Sequence, residues 1–240
     1  MTNLIDGVAR LTASEVTNIL TLAAQRAAIT RAGIRLPAGQ PAQVFISVVN
    51  NPDNSTIPIV LGTFRTRDAT VFSWDVSVQK ARTALFFSDP LTAGALPPEL
   101  TGKALSTRTV GFLAQSLYPP GIAGTAPGPL LGLQERYSLI PVGVTNPLNG
   151  VYFPATDPPP TAPDPSLPNG ITIFPGGFPL YRNGKLIGAI GVSGDGVDQD
   201  DLIAASGTVN FLAPAAIRAD QVVFRGARLP YAKFPRNPSL

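Results

Sequence analysis

Two short apolar segments and the dipeptide between them decide the fold: residues 178–193, FPLYRNGKLIGAIGVS. Asn183-Gly184 separates runs rich in β-branched and aromatic residues, and an Asn-Gly pair readily adopts the positive φ angles of a type I′ turn. Residues 178–182 and 185–193 are therefore predicted to form an antiparallel hairpin. Gly188, Gly191 and Gly194 lie in or just after its second strand, where glycine permits close approach by a helix, a neighbouring subunit or a flat ligand.

The sequence before the hairpin predicts two more strands and three helices. Residues 43–50 and 59–65 are rich in strand-forming residues and are joined by turn residues, which favours a second antiparallel pair. Apolar residues recur at helical spacing over residues 14–32, after a capping box at residues 12–15, and over residues 72–87, where Trp74 begins the apolar stripe. A weaker helical pattern covers residues 101–115. After the hairpin, residues 197–207 are predicted to be helical, with Asp195, Asp198, Asp200 and Asp201 near the helix start, where its dipole favours negative charge.

Composition excludes several kinds of chemistry. The 240-residue chain contains no cysteine and no histidine. Disulfides, thiolate metal sites, imidazole ligands and histidine-activated nucleophiles are therefore excluded. Ser193 lies in a sequence similar to a nucleophile elbow, but no histidine can activate it, so a hydrolase is not expected. The four aspartates do not have EF-hand spacing, and helix capping accounts for them, so no metal site is predicted.

Two segments extend beyond a compact core. Most of the 26 prolines lie between residues 119 and 179, and the insertion 119–170 is predicted to be a long irregular loop. Residues 208–240 hold five basic residues against one acidic residue and are predicted to form an extended basic arm. The net charge of +3 is low for a nucleic-acid binder, so the arm is expected to lie across a neighbouring protein surface. Either segment could contact a protein partner.

Several ordered motifs resemble the GlcG/HbpS-like domains, which bind or degrade haem and also form the C-terminal part of PduO-type adenosyltransferases. The matching pieces are residues 20–24 (LTLAA), 80–84 (KARTA), 175–179 (PGGFP), 188–194 (GAIGVSG) and 199–204 (QDDLIA). The resemblance covers about residues 11–207, interrupted by the proline-rich insertion. Residues 1–207 are therefore assigned to one such domain, and residues 208–240 to the arm.

The resemblance implies an α+β, profilin-like fold with an antiparallel sheet of about five strands flanked by helices, assembled into homo-oligomers. It also implies haem as a cofactor, although no histidine can ligate the iron. The remaining candidate ligands are tyrosines (118, 137, 152, 181 and 231), a lysine or a weak hydroxyl. Lys80, Arg82 and Thr83 are expected to hold an anionic group, with Gly176, Gly177, Gly191 and Ser193 lining the same site.

Each of these site residues also has a structural interpretation. Lys80, Arg82 and Thr83 would equally suit a solvated helix face, and the glycines at 176 and 177 would suit the entry to a strand. Two hypotheses for the function follow. The first is an oligomeric, non-catalytic binding protein for haem or another flat anionic ligand, held between the Lys80 helix and the glycine-rich strands. The second is a self-assembling structural subunit with a decayed ligand site, in which the insertion and the arm contact neighbouring protomers.

The sequence predicts no membrane span, because no apolar stretch reaches about 18 residues. Residues 1–10 contain no apolar run and predict no signal peptide. A periplasmic or extracellular location stays open for a processed chain.

Overall fold

The computed structural model describes residues 4–37, 39–52, 57–90, 96–136 and 167–233. In chain order, the elements are β1 (Leu4–Ile5), β2 (Val8–Ala9), α1 (Ala13–Ile29), β3 (Phe45–Asn50), β4 (Val60–Arg65), α2 (Ser73–Ser88), α3 (Thr107–Leu113), α4 (Leu131–Arg136), β5 (Gly177–Arg182), β6 (Lys185–Ser193), α5 (Val197–Gly207), β7 (Val223–Phe224) and β8 (Ala227–Arg228). Short 3₁₀ turns occur at Pro98–Leu100, Ala215–Ile217 and Ala219–Gln221.

The central sheet is antiparallel, with strand order β4-β3-β6-β5. The predicted hairpin is confirmed: β5 pairs with β6 up to Arg182 and Lys185, and Asn183 and Gly184 have positive φ angles of 50° and 77°. The expectation of about five strands is corrected to four among the described residues. The edge of β5 is met by a loop instead of a strand, since the Tyr181 amide donates to the Phe211 carbonyl oxygen over 2.9 Å.

Helices cover both faces of the sheet, which confirms the predicted α+β fold class. Helices α1 and α5 pack together on one face, over a core that includes Ile19, Ile46 and Ile203. Helix α2 covers the other face, where Val78 and Ala81 pack against strands β3 and β6. The two-sided burial explains why every residue of β3 is buried, rather than every second one.

The helix boundaries follow local capping. The predicted capping box is present at α1, where the Thr12 hydroxyl accepts from the Glu15 amide and the Glu15 carboxylate accepts from the Thr12 amide. The third helix is shorter than the sequence pattern predicts. Ser106 caps it by accepting from the Thr109 amide, and just before that cap Ala104 forms a β-bridge with Arg218 instead of helical hydrogen bonds.

The chain after α5 packs against its own protomer as far as Lys233. Phe224 is buried, and its carbonyl oxygen accepts from the Tyr118 hydroxyl over 3.0 Å. The Tyr231 ring lies edge-on to Phe178, with ring centroids 5.4 Å apart. The first 26 residues of the predicted arm therefore contribute to the core of the domain. Residues 234–240 and residues 137–166 of the insertion lie outside the described part of the chain.

Gly191 offers a direct test of the contact between α2 and the sheet. A methyl group at this position would overlap the Ser77 carbonyl oxygen and the Ala81 amide of α2, so Gly191→Ala is expected to destabilise the fold by about 1–3 kcal/mol. Gly132→Ala, at an exposed position of α4, meets no neighbouring atom and is expected to be neutral or stabilising. Urea denaturation of both variants measures the difference. Equal midpoints would contradict the close packing of α2 on β6.

Candidate functional site

Lys80, the first predicted ligand residue, is buried in an ion pair. Its side chain is 2% exposed, and Nζ donates to Asp200 Oδ2 and to the Val192 carbonyl oxygen, each over 2.8 Å. Asp200 lies in the first turn of α5, and Val192 lies near the end of β6. Lys80 therefore joins α2, the sheet and α5, and its charge is already balanced within the protomer.

A second charged cluster adjoins this pair. Arg108 on α3 contacts Asp198 Oδ1 over 2.8 Å and Asp201 Oδ2 over 3.0 Å, and the Lys233 amide donates to Asp201 Oδ2 over 2.7 Å. Burial raises the pKa of both Asp200 and Asp201, and the nearby Lys80 and Arg108 charges only partly oppose that effect. Asp198 is more exposed, and hydrogen bonds from Arg108 and Lys233 outweigh its smaller desolvation and lower its pKa. The aspartates therefore hold α3 and the C-terminal segment against α5.

Arg82 and Thr83 lie on other sides of α2 and make different contacts. Arg82 donates to the Pro58 carbonyl oxygen from Nε (3.1 Å) and Nη2 (3.0 Å), and to Asn169 Oδ1 from Nη1 (3.2 Å). Burial lowers the pKa of Arg82, against the opposing charge of Asp75. The Thr83 hydroxyl is buried and accepts from the Thr172 amide over 3.1 Å. Both residues thus fix loops that flank α2.

The predicted glycines and Ser193 lie close to Lys80, but as packing positions. Gly176 has a φ of +116°, and a methyl group there would lie 3.1 Å from Lys80 Nζ. The Gly177 amide donates to the Thr107 hydroxyl over 2.9 Å, and Gly191 lies under the α2 backbone. Ser193 is buried at the end of β6, opposite Phe45. The structure brings these residues together with Lys80, and the chain's own atoms occupy the space between α2 and the glycine-bearing strands.

Tyr118, Tyr181, Tyr231 and Lys80 do not fit a haem site in which the protein supplies a ligand to iron. Tyr118 donates its hydroxyl to a backbone carbonyl, and burial raises the pKa of Tyr118, Tyr181 and Tyr231, which disfavours the tyrosinate form. Lys80 is paired, and histidine and cysteine are absent from the sequence. In the described part of the chain, no three acidic, histidine or cysteine side chains converge to hold a metal. Tyr137 and Tyr152 lie outside the described residues.

An exposed apolar surface at the start of α2 was not anticipated from the sequence. It consists of Ile34, Arg35, Arg65, Val71 and Phe72, and is called the Phe72 surface below; Trp74, two residues after Phe72, is exposed on another side of α2. Phe72 is 60% exposed and Trp74 is 46% exposed, although the helical spacing assigned Trp74 to the core stripe. The sequence signal was the presence of three large apolar residues, Val71, Phe72 and Trp74, around the start of α2, because one helical stripe cannot bury all three.

Two arginines border the Phe72 surface. The Arg35 guanidinium lies 4.9 Å from the centre of the Phe72 ring and donates to the Thr70 hydroxyl over 2.7 Å. The Arg65 guanidinium lies 5.7 Å from the centre of the Phe45 ring. Among the described residues, neither guanidinium has a carboxylate within 4.0 Å. The surface therefore combines the exposed Phe72 ring with two positive charges that lack an acidic partner in this part of the structure.

The loop that carries Arg35 is fixed to the core. The Asp195 carboxylate, between β6 and α5, accepts from the Gly33 amide, from the Ile34 amide over 3.1 Å and from the Arg35 amide over 3.2 Å. Asp195 thus accepts from three backbone amides, as an anion bound at a helix N-terminus does. Asp195 thus positions one border of the Phe72 surface.

Comparison with known proteins agrees with the fold. Residues 20–208 match the model of a family described as "Haem degrading protein HbpS-like". A crystal structure described as a PduOC:heme complex superposes with a TM-score of 0.50 and 21% identity, covering 85% of this chain and 99% of that chain. The Klebsiella pneumoniae protein ORFY superposes with a TM-score of 0.48 and 22% identity, covering 87% of this chain and 94% of that chain.

A curated relative matches over a much shorter stretch. An uncharacterized 15.0 kDa protein of the dhaT-dhaS intergenic region of Citrobacter freundii is 62% identical over 34 residues, which are 14% of this chain and 24% of that protein. The alignment thus spans about a quarter of the relative's length. Separately, none of the described helices is long and apolar enough to cross a membrane.

The Lys80–Asp200 pair yields a prediction about stability and its pH dependence. Lys80→Met leaves a buried carboxylate without its cation and is expected to cost about 3–5 kcal/mol at neutral pH. The raised folded-state pKa of Asp200 means that protonation favours the fold, so the deficit should shrink as the pH falls through that pKa toward the ordinary value of 3.8.

A second substitution provides the control. In Lys80→Met/Asp200→Asn no charge remains buried at this position, so more than half of the lost stability should return, and the extra pH dependence should disappear. Urea unfolding between pH 4.5 and 7.5 measures both effects. A Lys80→Met variant as stable as the unmodified protein would show that Lys80 is not paired in the folded chain.

Proposed function

The chain belongs to the HbpS-like family of haem-degrading proteins, and we propose that it is an oligomeric, non-catalytic binding protein for a flat anionic ligand of the porphyrin class. The observation that carries the proposal is the Phe72 surface, where the exposed Phe72 ring lies beside Arg35 and where Arg65 adds a second unpaired positive charge over the buried Phe45 ring. The position expected from the sequence, between α2 and the glycine-bearing strands, is filled by the protein itself. The proposal therefore assigns the ligand to the outside of the α2 start.

The chemistry of this surface matches both parts of a porphyrin. A flat conjugated ring would cover Phe72 and remove its apolar area from water. The propionates of the ring would accept hydrogen bonds from Arg35 and Arg65, which are suited to paired recognition of carboxylates. A charged ligand gains most from cations that are not already neutralised by the protein.

The proposal does not require the protein to supply a ligand to iron. The described tyrosines with shifted pKa values and Lys80 are not free to ligate iron, so shape, apolar contact and charge would carry the affinity. No catalytic step is included, because Ser193 is buried and the chain has no histidine to act as a base near neutral pH. Binding of haem and of metal-free porphyrin should consequently be similar.

Parallel titrations of haem and metal-free protoporphyrin IX test the proposal. Both should show a saturable Soret shift, with dissociation constants that agree within about threefold. Arg35→Gln/Arg65→Gln should weaken both by at least tenfold, because the propionates lose their partners. Arg225→Gln, which removes an exposed arginine elsewhere on the protomer, should change neither.

Two results would overturn this proposal. Haem binding that is more than tenfold tighter than porphyrin binding would show that the protein ligates iron. Absence of a saturable shift with either compound would show that the Phe72 surface does not hold a porphyrin.

A second candidate function is that of a self-assembling structural subunit, favoured by the edge of the sheet at β4. Strand β4 pairs only with β3 among the described residues, and a β-bulge leaves Leu61 without a partner on β3. Ile57, Ile59 and Leu61 are exposed along this edge. An open apolar edge is suited to pairing with the same edge of a second copy.

Light scattering distinguishes this candidate. If β4 joins protomers, Leu61→Ser should reduce the mass of the assembly, whereas Val223→Ser, at another exposed apolar position, should leave it unchanged. The same mass for both variants would exclude assembly through the β4 edge. The porphyrin titration is independent of this result, because Leu61 is not part of the Phe72 surface.

A further inference from the structure

A polar cleft lies at the turn of the hairpin, away from the Phe72 surface. Its volume is about 670 Å³, within the range typical of small-molecule sites. The lining comes from the start of α1, the end of β5 with its turn, and the loop after α5; it includes Asn18, Tyr181, Arg182, Asn183, Asn210 and Phe211. Tyr181 and Phe211 are buried, and the Tyr181 amide donates to the Phe211 carbonyl oxygen, so a backbone hydrogen bond joins two of the segments that line the cleft.

The charges in the cleft are already satisfied. Arg182 pairs with Glu15, and its Nη1 donates to the carbonyl oxygens of Ala9 (2.7 Å) and Arg10 (3.2 Å). Desolvation of Glu15 is outweighed by hydrogen bonds from Thr12 and Arg182, so its pKa lies below the ordinary value and it stays ionised at neutral pH. An ionic ligand would have to displace one of these partners. The cleft is therefore matched to a neutral ligand.

The remaining polar side chains include three amides, which can both donate and accept. Asn210 Nδ2 donates to Asn18 Oδ1 over 3.0 Å, which leaves Asn18 Nδ2 as a donor and Asn210 Oδ1 as an acceptor. The Asn183 side chain makes no hydrogen bond to the described residues, and its backbone is held at a φ of 50° by the turn. The three amides thus present donors and acceptors around one space.

We propose that this cleft binds a neutral polyhydroxylated molecule, such as a sugar ring or a cyclitol. A hydroxyl group donates and accepts at once, and several hydroxyls on a ring match the mixture of amide donors and acceptors. A hydrocarbon would leave the amides unpaired, which disfavours apolar ligands. The α1 N-terminus does not itself attract the ligand, because the side chains of the capping box, Thr12 and Glu15, already accept hydrogen bonds from backbone amides there.

The cleft and the Phe72 surface are at opposite ends of the sheet. Phe45, Arg65 and Ser193 are aligned at one end, and the chain turns at Asn183 beyond the other. Occupation of the cleft therefore goes beyond the proposed porphyrin binding, and each can be tested without the other.

Chemical-shift titration of the full-length, ¹⁵N-labelled protein tests the cleft. D-glucose and myo-inositol are the neutral probes, and D-glucuronate is the charged match to glucose. At least one neutral probe should shift the side-chain amide signals of Asn18, Asn183 and Asn210 in a saturable manner, and D-glucuronate should bind more weakly than D-glucose.

Variants connect the signal to the amides. Asn18→Leu/Asn210→Leu should weaken binding at least tenfold, with an unchanged thermal midpoint because both positions are exposed. Gln221→Leu, an exposed amide outside the cleft, should bind as the unmodified protein does. The proposal is overturned if no neutral probe gives a saturable shift, if D-glucuronate binds more tightly than D-glucose, or if the asparagine variant retains full affinity.

Discussion

Helix α2 can rest on the sheet only because β6 has no side chain where the helix crosses it. A residue larger than glycine at position 191 would meet the α2 backbone itself, which cannot rotate away as a side chain could. Once seated there, α2 brings Ser77 within 2.7 Å of Ser47 and carries Lys80 to Asp200. The remaining contacts of the helix, including those of Arg82 with the loops beside it, depend on this close approach.

The parts of the fold that local physics determines were predictable from the sequence. Asn183-Gly184 predicts a tight turn, and residues 12–15 predict the start of a helix. Both predictions depend only on the conformation and hydrogen bonds of residues that are close together in sequence. The extent of α3 was not predictable in the same way. Its beginning depends on a bridge between Ala104 and Arg218, which are far apart in sequence.

The candidate sites were harder to predict, since helical spacing gives the face of a residue but not its partner. Lys80 has the pattern of a solvated or ligand-binding lysine, yet its carboxylate partner is 120 positions away. The Phe72 surface and the polar cleft each combine three separate segments of chain, and neither has a sequence motif. Composition was more informative than pattern here, because the absence of histidine limits what any porphyrin site in this protein can do.

Asp195 gives the Phe72 surface a property that its exposed residues would not have by themselves. A surface loop without other contacts usually samples many conformations, and the conformational entropy that it loses when a ligand orders it weakens binding. Here three consecutive amides are held by one carboxylate that belongs to the core, so Arg35 is presented in a fixed backbone geometry before any ligand arrives. A ligand bound at this surface would therefore order side chains of the protein without also having to order the backbone of residues 33–35.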